Sequence, residues 1–223
     1  MDLLPSANAQ YGTREYWDER YSKEADDASF DWFKTYSEIQ HLIHRFVPSK
    51  SARIVMLGCG NSTLSRDLYD DGYKRVDNLD YSEVVIDKMK KVNEERSEMT
   101  WVVGDIRKLP FEDQSVDVCI DKRLKGTMDA MMTGVDDVWD PQPEIVADVK
   151  AEVDEVVRVL KPDGVFLYLT FGQPHFRRQH LQRPGWKLEI LEVGEGFSYY
   201  FYVLRREETV AKENERGRAA QEA

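Results

Sequence analysis

The chain has 223 residues, a length that fits one α/β domain with a buried core on both faces of a sheet. Its 41% hydrophobic and 33% charged residues are typical of a globular protein and argue against extensive disorder. The net charge of -11 at pH 7 disfavours a nucleic-acid partner and favours a basic protein or a small molecule. Because no apolar run could span a bilayer and the start lacks a secretory pattern, we expect a cytoplasmic location.

Composition divides the chain into three segments. Residues 1–13 are polar or small and predict a flexible N-terminal lead, whereas 207–223 are almost wholly charged or small and predict a solvated tail or frayed helix. The folded domain is then 14–206. Its two cysteines, Cys59 and Cys119, fall at the ends of apolar strands, where buried reduced thiols are expected rather than a disulfide or a zinc site.

Within this domain, short β-rich runs alternate with helical patterns, which is typical of βαβ units. We predict strands at 53–57, 76–79, 100–103, 116–120 and 165–171, with helices at 64–71, 84–95 and 145–160. Two further runs, 186–193 and 197–205, flank Gly194-Glu195-Gly196, whose turn chemistry predicts a hairpin. The expected fold is α/β and Rossmann-like: a seven-stranded sheet, mostly parallel with a C-terminal antiparallel hairpin, and helices on both faces.

The first predicted strand runs into a turn with two glycines, Gly58-Cys59-Gly60-Asn61-Ser62, directly before a helix. Without side chains at Gly58 and Gly60, a ligand can approach the backbone and meet the N–H groups that open the helix. The turn is not a P-loop, and Thr63 stands where a dinucleotide fingerprint requires glycine. By itself this turn is equally compatible with an ordinary tight turn.

Acidic residues follow the second and third strands. Asp80 lies 20 residues after Gly60, where a carboxylate can accept both ribose hydroxyls and Tyr81 would flank the adenine. The alternative for Asp80 is a helix cap, although Ser82 lies closer to that helix. Asp105 can accept from an adenine amino group while Ile106 packs on the ring, the alternative being a turn residue. These positions share one sheet edge and together predict an adenosine site.

Aromatic residues cluster before the first strand, at 16–21 and 30–33. A sulfonium cation is attracted to aromatic faces, and aromatic side chains over the site would exclude water. We therefore assign Trp17, Tyr21 and Trp32 to the cofactor, which we predict to be S-adenosylmethionine. Phe30 and Phe33 are better explained as core residues of an N-terminal helix.

Four blocks read Glu-Tyr-Trp-Asp-Glu-Arg-Tyr at 15–21, Asp-Trp-Phe at 31–33, Leu-Gly-Cys-Gly-Asn-Ser at 57–62 and Asp-Tyr-Ser at 80–82. These blocks, with 105–109, 126–130 and 174–177, resemble the class I methyltransferases of the eukaryotic elongation factor one alpha (eEF1A) lysine methyltransferase group, over about 11–205. The resemblance implies an S-adenosylmethionine-dependent methyltransferase acting on a lysine of eEF1A. It implies cofactor contacts at Trp17, Tyr21, Trp32, Gly58, Asp80, Tyr81, Asp105, Ile106 and Lys122.

One segment departs from the pattern of that group, which places a lysine directly before Gly-Thr-Leu-Asp-Ala. Here residues 123–125 separate Lys122 from Gly126, so that either Lys122 or Lys125 could hold the group's position. No residue is assigned as catalytic, because in-line methyl transfer mainly requires alignment. Asp121 or Asp129 could position an acceptor amine, with helix capping as the alternative for both.

Two other functions stay open at this stage. The same fold and cofactor site serve many acceptors, so a small-molecule methyltransferase is one alternative, and a non-catalytic cofactor-binding interaction protein is the other. We expect no metal site, because the histidine pairs at 41/44 and 175/180 lack an accompanying carboxylate pattern. We expect no nucleic-acid acceptor, because the basic pairs at 177–178 and 205–206 are short.

Overall fold

A computed structural model describes residues 5, 7–25, 28–29, 34–122, 127–132, 141–194 and 198–221. The strands are β1 Ile54–Leu57, β2 Val76–Asp80, β3 Thr100–Val103, β4 Val116–Asp121, β5 Leu160–Thr170, β6 Trp186–Val193 and β7 Tyr199–Arg206. The helices are α1 Arg14–Lys23, α2 Tyr36–Phe46, α3 Leu64–Asp70, α4 Glu83–Val92, α5 Thr127–Met131, α6 Pro143–Val159, α7 Pro174–Leu181 and α8 Glu207–Gln221. Asn8–Gly12 and Ile106–Lys108 form short 3-10 helices.

The seven strands form one sheet in the order β3-β2-β1-β4-β5-β7-β6. The first five strands pair in parallel, and β7 runs antiparallel between β5 and β6. This arrangement confirms the predicted fold, including its antiparallel ending. All four residues of β1 are buried, as expected for a central strand that is covered on both faces.

Helices cover both faces of the sheet. One apolar core is formed by β-strand side chains with α2, α3 and α4, and a second by strand side chains with α5, α6 and α7. The stripe of Val149, Val153 and Val156 on α6 follows helical spacing and packs entirely against the sheet. A third, smaller cluster joins Tyr11 and α1 to α4.

Several elements differ from the sequence prediction. The strand predicted from 165 begins at Leu160, because Leu160 pairs with Val116 of β4 ahead of a register shift. Helices α2 and α7 were not predicted, although Thr35 and Glu38 form a capping box before an apolar pattern in α2. The predicted hairpin pairs as expected, while turn residues 195 and 196 lie outside the described residues.

The segments set apart by composition contain residues that pack on the domain. Tyr11 is only 5% exposed, and Val210 of α8 is 7% exposed. The boundaries at 13/14 and 206/207 stay predictions. Among the described helices, none is long and apolar enough to cross a membrane. Cys59 and Cys119 are buried and form no disulfide, and burial raises the pKa of Cys119.

Candidate functional site

The glycine turn follows β1 at the C-terminal edge of the sheet. Gly58 and Gly60 have φ values of 59° and 47°, in the left-handed region that favours glycine. The Gly60 N–H donates to Asp80 Oδ2 at 2.9 Å, which ties the turn to the end of β2. The sequence Gly-x-Gly therefore serves a backbone requirement and leaves the turn without side chains at these two points.

Asp80 is 1% exposed, and its second oxygen, Oδ1, accepts from the Ser82 N–H at 3.0 Å. The N-cap of α4 is Ser82, whose hydroxyl oxygen accepts from the Val85 N–H. The capping alternative for Asp80 is therefore wrong, because Ser82 fills that role. Asp80 instead braces the glycine turn and faces the neighbouring pocket.

Asp105 lies just beyond β3 and is held by Arg107. Its carboxylate accepts from the Arg107 backbone N–H at 2.8 Å and from the guanidinium Nη2 at 2.6 Å. These hydrogen bonds from Arg107 lower the pKa of Asp105. Arg107 also donates to Asp148 of α6 at 2.9 Å, so it bridges two acidic side chains. Asp105 therefore does both things that were considered for it: its carboxylate stabilises the turn after β3, and its side chain lines the pocket.

These groups surround a single pocket with about 570 Å³ of empty space, solvent at its mouth included. Five of the nine predicted cofactor contacts line it: Gly58, Asp80, Tyr81, Asp105 and Ile106. The sequence analysis missed the remaining wall, which is formed by Gly12, Gly104, Arg107, Ala130, Met131 and Asp148.

Gly12 brings the 3-10 helix Asn8–Gly12 against α5. A Cβ atom at Gly12 would lie 3.4 Å from the Ala130 carbonyl oxygen, so the two backbones approach closely. Residues far apart in the sequence thereby form one wall of the pocket. Only this packing, and no local motif, identifies Gly12 as a site residue.

Trp17, Tyr21 and Lys122 were also predicted as contacts, but they do not line the pocket. Trp17 and Tyr21 are 3% and 2% exposed, stack with ring centroids 5.6 Å apart, and pack in the cluster that also contacts Tyr81. The Trp17 indole donates to the Tyr11 carbonyl oxygen at 2.7 Å. Lys122 is buried directly after β4. Trp32, Lys125, Phe30 and Phe33 lie outside the described residues.

Asp129 lies inside α5 and connects three elements. Its carboxylate accepts from Tyr168 and Thr170 of β5, each at 2.7 Å, and from Arg177 of α7 at 2.8 Å. Burial raises the pKa of Asp129, and the Arg177 charge opposes that rise. Asp129 is thus neither a helix cap nor a free amine ligand, and it fixes α5 beside the pocket.

A second buried acidic group lies between β4 and α6. Asp121 ends β4 and Glu152 lies on the sheet-facing side of α6, and both are 0% exposed. Burial, followed by the charges of Asp121 and Asp129, raises the pKa of Glu152 well above its usual range. The sequence analysis missed Glu152, for which the only available signal was a glutamate beside Val149 and Val153 in the apolar stripe.

Comparisons with known proteins agree with this arrangement. Residues 48–213 match the family described as Methyltransferase domain. EEF1A lysine methyltransferase 4 of Bos taurus is 38% identical over 205 residues, covering 91% of this chain and 79% of that protein. The human eEF1A lysine and N-terminal methyltransferase is 34% identical over 197 residues, 86% of this chain but 27% of that protein.

Structural similarity leads to the same fold. The solved structure of Burkholderia thailandensis 1,6-didemethyltoxoflavin-N1-methyltransferase, with bound S-adenosylhomocysteine, superposes with a TM-score of 0.58 at 14% identity, covering 92% of this chain and 93% of that one. The fold and the family match define an S-adenosylmethionine-dependent methyltransferase. More narrowly, the chain belongs to the eEF1A lysine methyltransferase group, which confirms the resemblance seen in the sequence. Within the described residues, no His, Cys, Asp and Glu cluster could hold a metal ion.

Proposed function

We propose that this methyltransferase modifies a lysine side chain of eEF1A. The observation that carries the proposal is the similarity over 205 residues to a protein named for this activity. A net charge of -11 suits a basic acceptor segment and disfavours a nucleic-acid acceptor. We also propose a cytoplasmic location, which an acceptor that serves translation elongation supports.

We further propose that the adenosine part of S-adenosylmethionine lies against Asp80, Tyr81, Asp105 and Ile106. The fit rests on the chemistry of this pocket: carboxylates suited to hydroxyl and amino groups, one aromatic ring, and an apolar side chain. The exposed backbone at Gly58 leaves room for the rest of the cofactor.

Four other residues were predicted as cofactor contacts, and we propose roles for them on other grounds: Trp17, Tyr21, Trp32 and Lys122. Trp17 and Tyr21 pack in the cluster that contacts Tyr81, so we assign them as supports of that ring. Trp32 and Lys122 stay assigned as cofactor contacts by resemblance to the group. A Tyr81 ring held by packed neighbours loses less freedom when a ligand binds, which favours affinity.

When bound, the cofactor supplies a methyl group on a sulfonium for in-line transfer to a nitrogen. The residues of this chain orient the reactants and exclude water, and alignment of this kind can contribute roughly 7–11 kcal/mol. The acceptor amine must be neutral to react, and burial beside a cation lowers its pKa. We assign Asp121, which ends β4 in register with the residue before Gly58, as the carboxylate that receives the amine.

Methylation of purified eEF1A with isotope-labelled S-adenosylmethionine tests the proposal. We expect the label on a lysine side chain, located by peptide mass spectrometry. Asp80→Ala should strongly reduce labelling at limiting cofactor concentration, whereas Asp87→Ala, at an exposed position on α4, should retain it. Label confined to small molecules of a cell extract would instead support a small-molecule acceptor. Cofactor binding without transfer to any acceptor would support a non-catalytic role.

A further inference from the structure

Arg107 is the only basic residue among the described residues that line the pocket. Its guanidinium donates to Asp105 from Nε at 3.0 Å and from Nη2 at 2.6 Å, and to Asp148 of α6 from Nη1 at 2.9 Å. The Arg107 backbone N–H also donates to Asp105, at 2.8 Å. One residue therefore holds two carboxylates that line the pocket, one in the loop after β3 and one on α6.

These contacts lie in a part of the pocket that solvent reaches. The side chains of Arg107 and Asp105 are each 45% exposed, and that of Asp148 is 43% exposed. Ion pairs with this much exposure contribute little to stability. The loop is also attached to α6 by the Leu109 N–H, which donates to Glu155 at 2.7 Å. The attachment of the loop therefore does not depend on Arg107.

The hydrogen bonds from Arg107 leave room for one more donor on Asp105. The two oxygens of a carboxylate offer about four acceptor positions. Three N–H groups of Arg107 use three of them: the backbone N–H, Nε between the two oxygens, and Nη2 on Oδ2. Within the described residues, no other group donates to this carboxylate. Because Asp105 lines the pocket, a ligand can reach the remaining position.

The backbone that carries Asp105 is fixed by two further hydrogen bonds. The Gly104 N–H donates to the Asp80 carbonyl oxygen at 3.0 Å, and the Lys108 N–H donates to the Asp105 carbonyl oxygen at 3.0 Å. In the described part of the chain, the carboxylate itself is anchored by Arg107 alone. Without this anchor, an exposed carboxylate changes rotamer freely, and a ligand that needs it must first order it.

We propose that Arg107 is a positioning residue that presents Asp105 to the exocyclic amino group of adenine, so that the pocket selects adenine over hypoxanthine. An ionised carboxylate only accepts hydrogen bonds, and the adenine amino group can donate one. Hypoxanthine has an oxygen at the same ring position, which would face the carboxylate with no proton between them. The inference rests on the adenosine placement in the proposed function.

Calorimetric titration of two ligands into the full chain tests this selection. S-adenosylhomocysteine and S-inosylhomocysteine differ in the purine, where the second carries an oxygen in place of the amino group. We expect the wild type to bind the adenine ligand at least about 10-fold more tightly, from the strength of a hydrogen bond to a charged group. In Arg107→Met this ratio should fall by about 2- to 12-fold, because only the adenine ligand must order the released carboxylate.

The ratio of the two affinities separates positioning from a general structural effect. A distorted pocket weakens both ligands, whereas a misplaced Asp105 weakens only the one that donates to it. Lys108→Met is the matched control: it removes a positive charge from the same short helix at an exposed position outside the pocket, and should keep the wild-type ratio. Asp105→Asn should lose the preference, and adding Arg107→Met to it should change the ratio no further.

The variants also separate this inference from the proposed function. A wild-type ratio that persists in Arg107→Met would overturn the role of Arg107, while a ratio that falls there and not in Lys108→Met would support it. Equal binding of both ligands by the wild type, or an unchanged ratio in Asp105→Asn, would overturn the adenosine placement and the inference with it. Because no acceptor is added, failure to methylate eEF1A would contradict the proposed acceptor alone.

Discussion

Replacing Asp129 with alanine tests whether its hydrogen bonds hold the pocket wall in place. The substitution leaves Arg177, which is 8% exposed, as a buried cation, and removes the acceptor for Tyr168 and Thr170. Removing one member of a buried ion pair costs about 3–5 kcal/mol. For a chain of this size each kcal/mol lowers the melting temperature by ~2–4 °C, so we expect a decrease of about 6–20 °C.

The control is a pair of the same residue types whose carboxylate is much more exposed. Asp154 accepts from Arg183 Nε at 2.6 Å, but its side chain is 43% exposed, so Asp154→Ala should cost no more than about 1 kcal/mol. Thermal melting followed by circular dichroism compares the two variants. Adding Arg177→Met to Asp129→Ala should recover part of the loss, because the unpaired cation is then removed. If Asp129→Ala melts no lower than Asp154→Ala, the stabilising role of Asp129 is refuted.

Three other substitutions test the site and its scaffold. Asp80→Ala should weaken S-adenosylhomocysteine binding by about 10- to 150-fold, from the ~1.5–3 kcal/mol of a charged hydrogen bond, and unchanged calorimetric affinity would contradict the proposed placement. Ser82→Ala removes the cap of α4 and should lower the free energy of unfolding in urea by about 1 kcal/mol; no loss would contradict the cap. Burial opposes ionisation of Asp71, but hydrogen bonds from His44 and Lys50 outweigh it and lower its pKa. Its contribution to stability is therefore present above the ordinary carboxyl pKa of about 3.9 and lost as pH falls toward the lower folded value. Asp71→Asn should flatten the acid limb of the stability curve, and a limb as steep as in the wild type would disprove this.

The sheet and the glycine turn were predictable because their signals are local. The four residues of β1 are apolar and buried, and positions 58 and 60 have backbone angles that favour glycine. Since parallel strands end at one edge, Asp80 and Asp105 could be placed near the turn before any coordinates were known. The pocket lining contains both of these aspartates and both of their neighbours, Tyr81 and Ile106.

Other features depend on partners far away in the chain. Helix α7 is largely polar and has little apolar periodicity, so its sequence gives a weak signal. Its buried face includes Arg177, which donates a hydrogen bond to Asp129, 48 residues earlier in the chain. An aromatic residue such as Trp17 suits a ligand or a core equally well, and only its contact with Tyr11 and α4 distinguishes the two. The hydrophobic periodicity of α6 does not mark Glu152 as unusual. Only the packing of α6 against the sheet shows that this glutamate is buried.

The close approach of Gly12 to Ala130 has a practical consequence for defining the smallest active fragment. A fragment cut to 14–206, the span that composition marks as the domain, would retain every strand of the sheet. It would lose one wall of the pocket at Gly12 and the Tyr11 ring that packs against Trp17. We therefore expect such a fragment to fold but to bind cofactor poorly. For ligand-binding work, the useful boundary lies before residue 8.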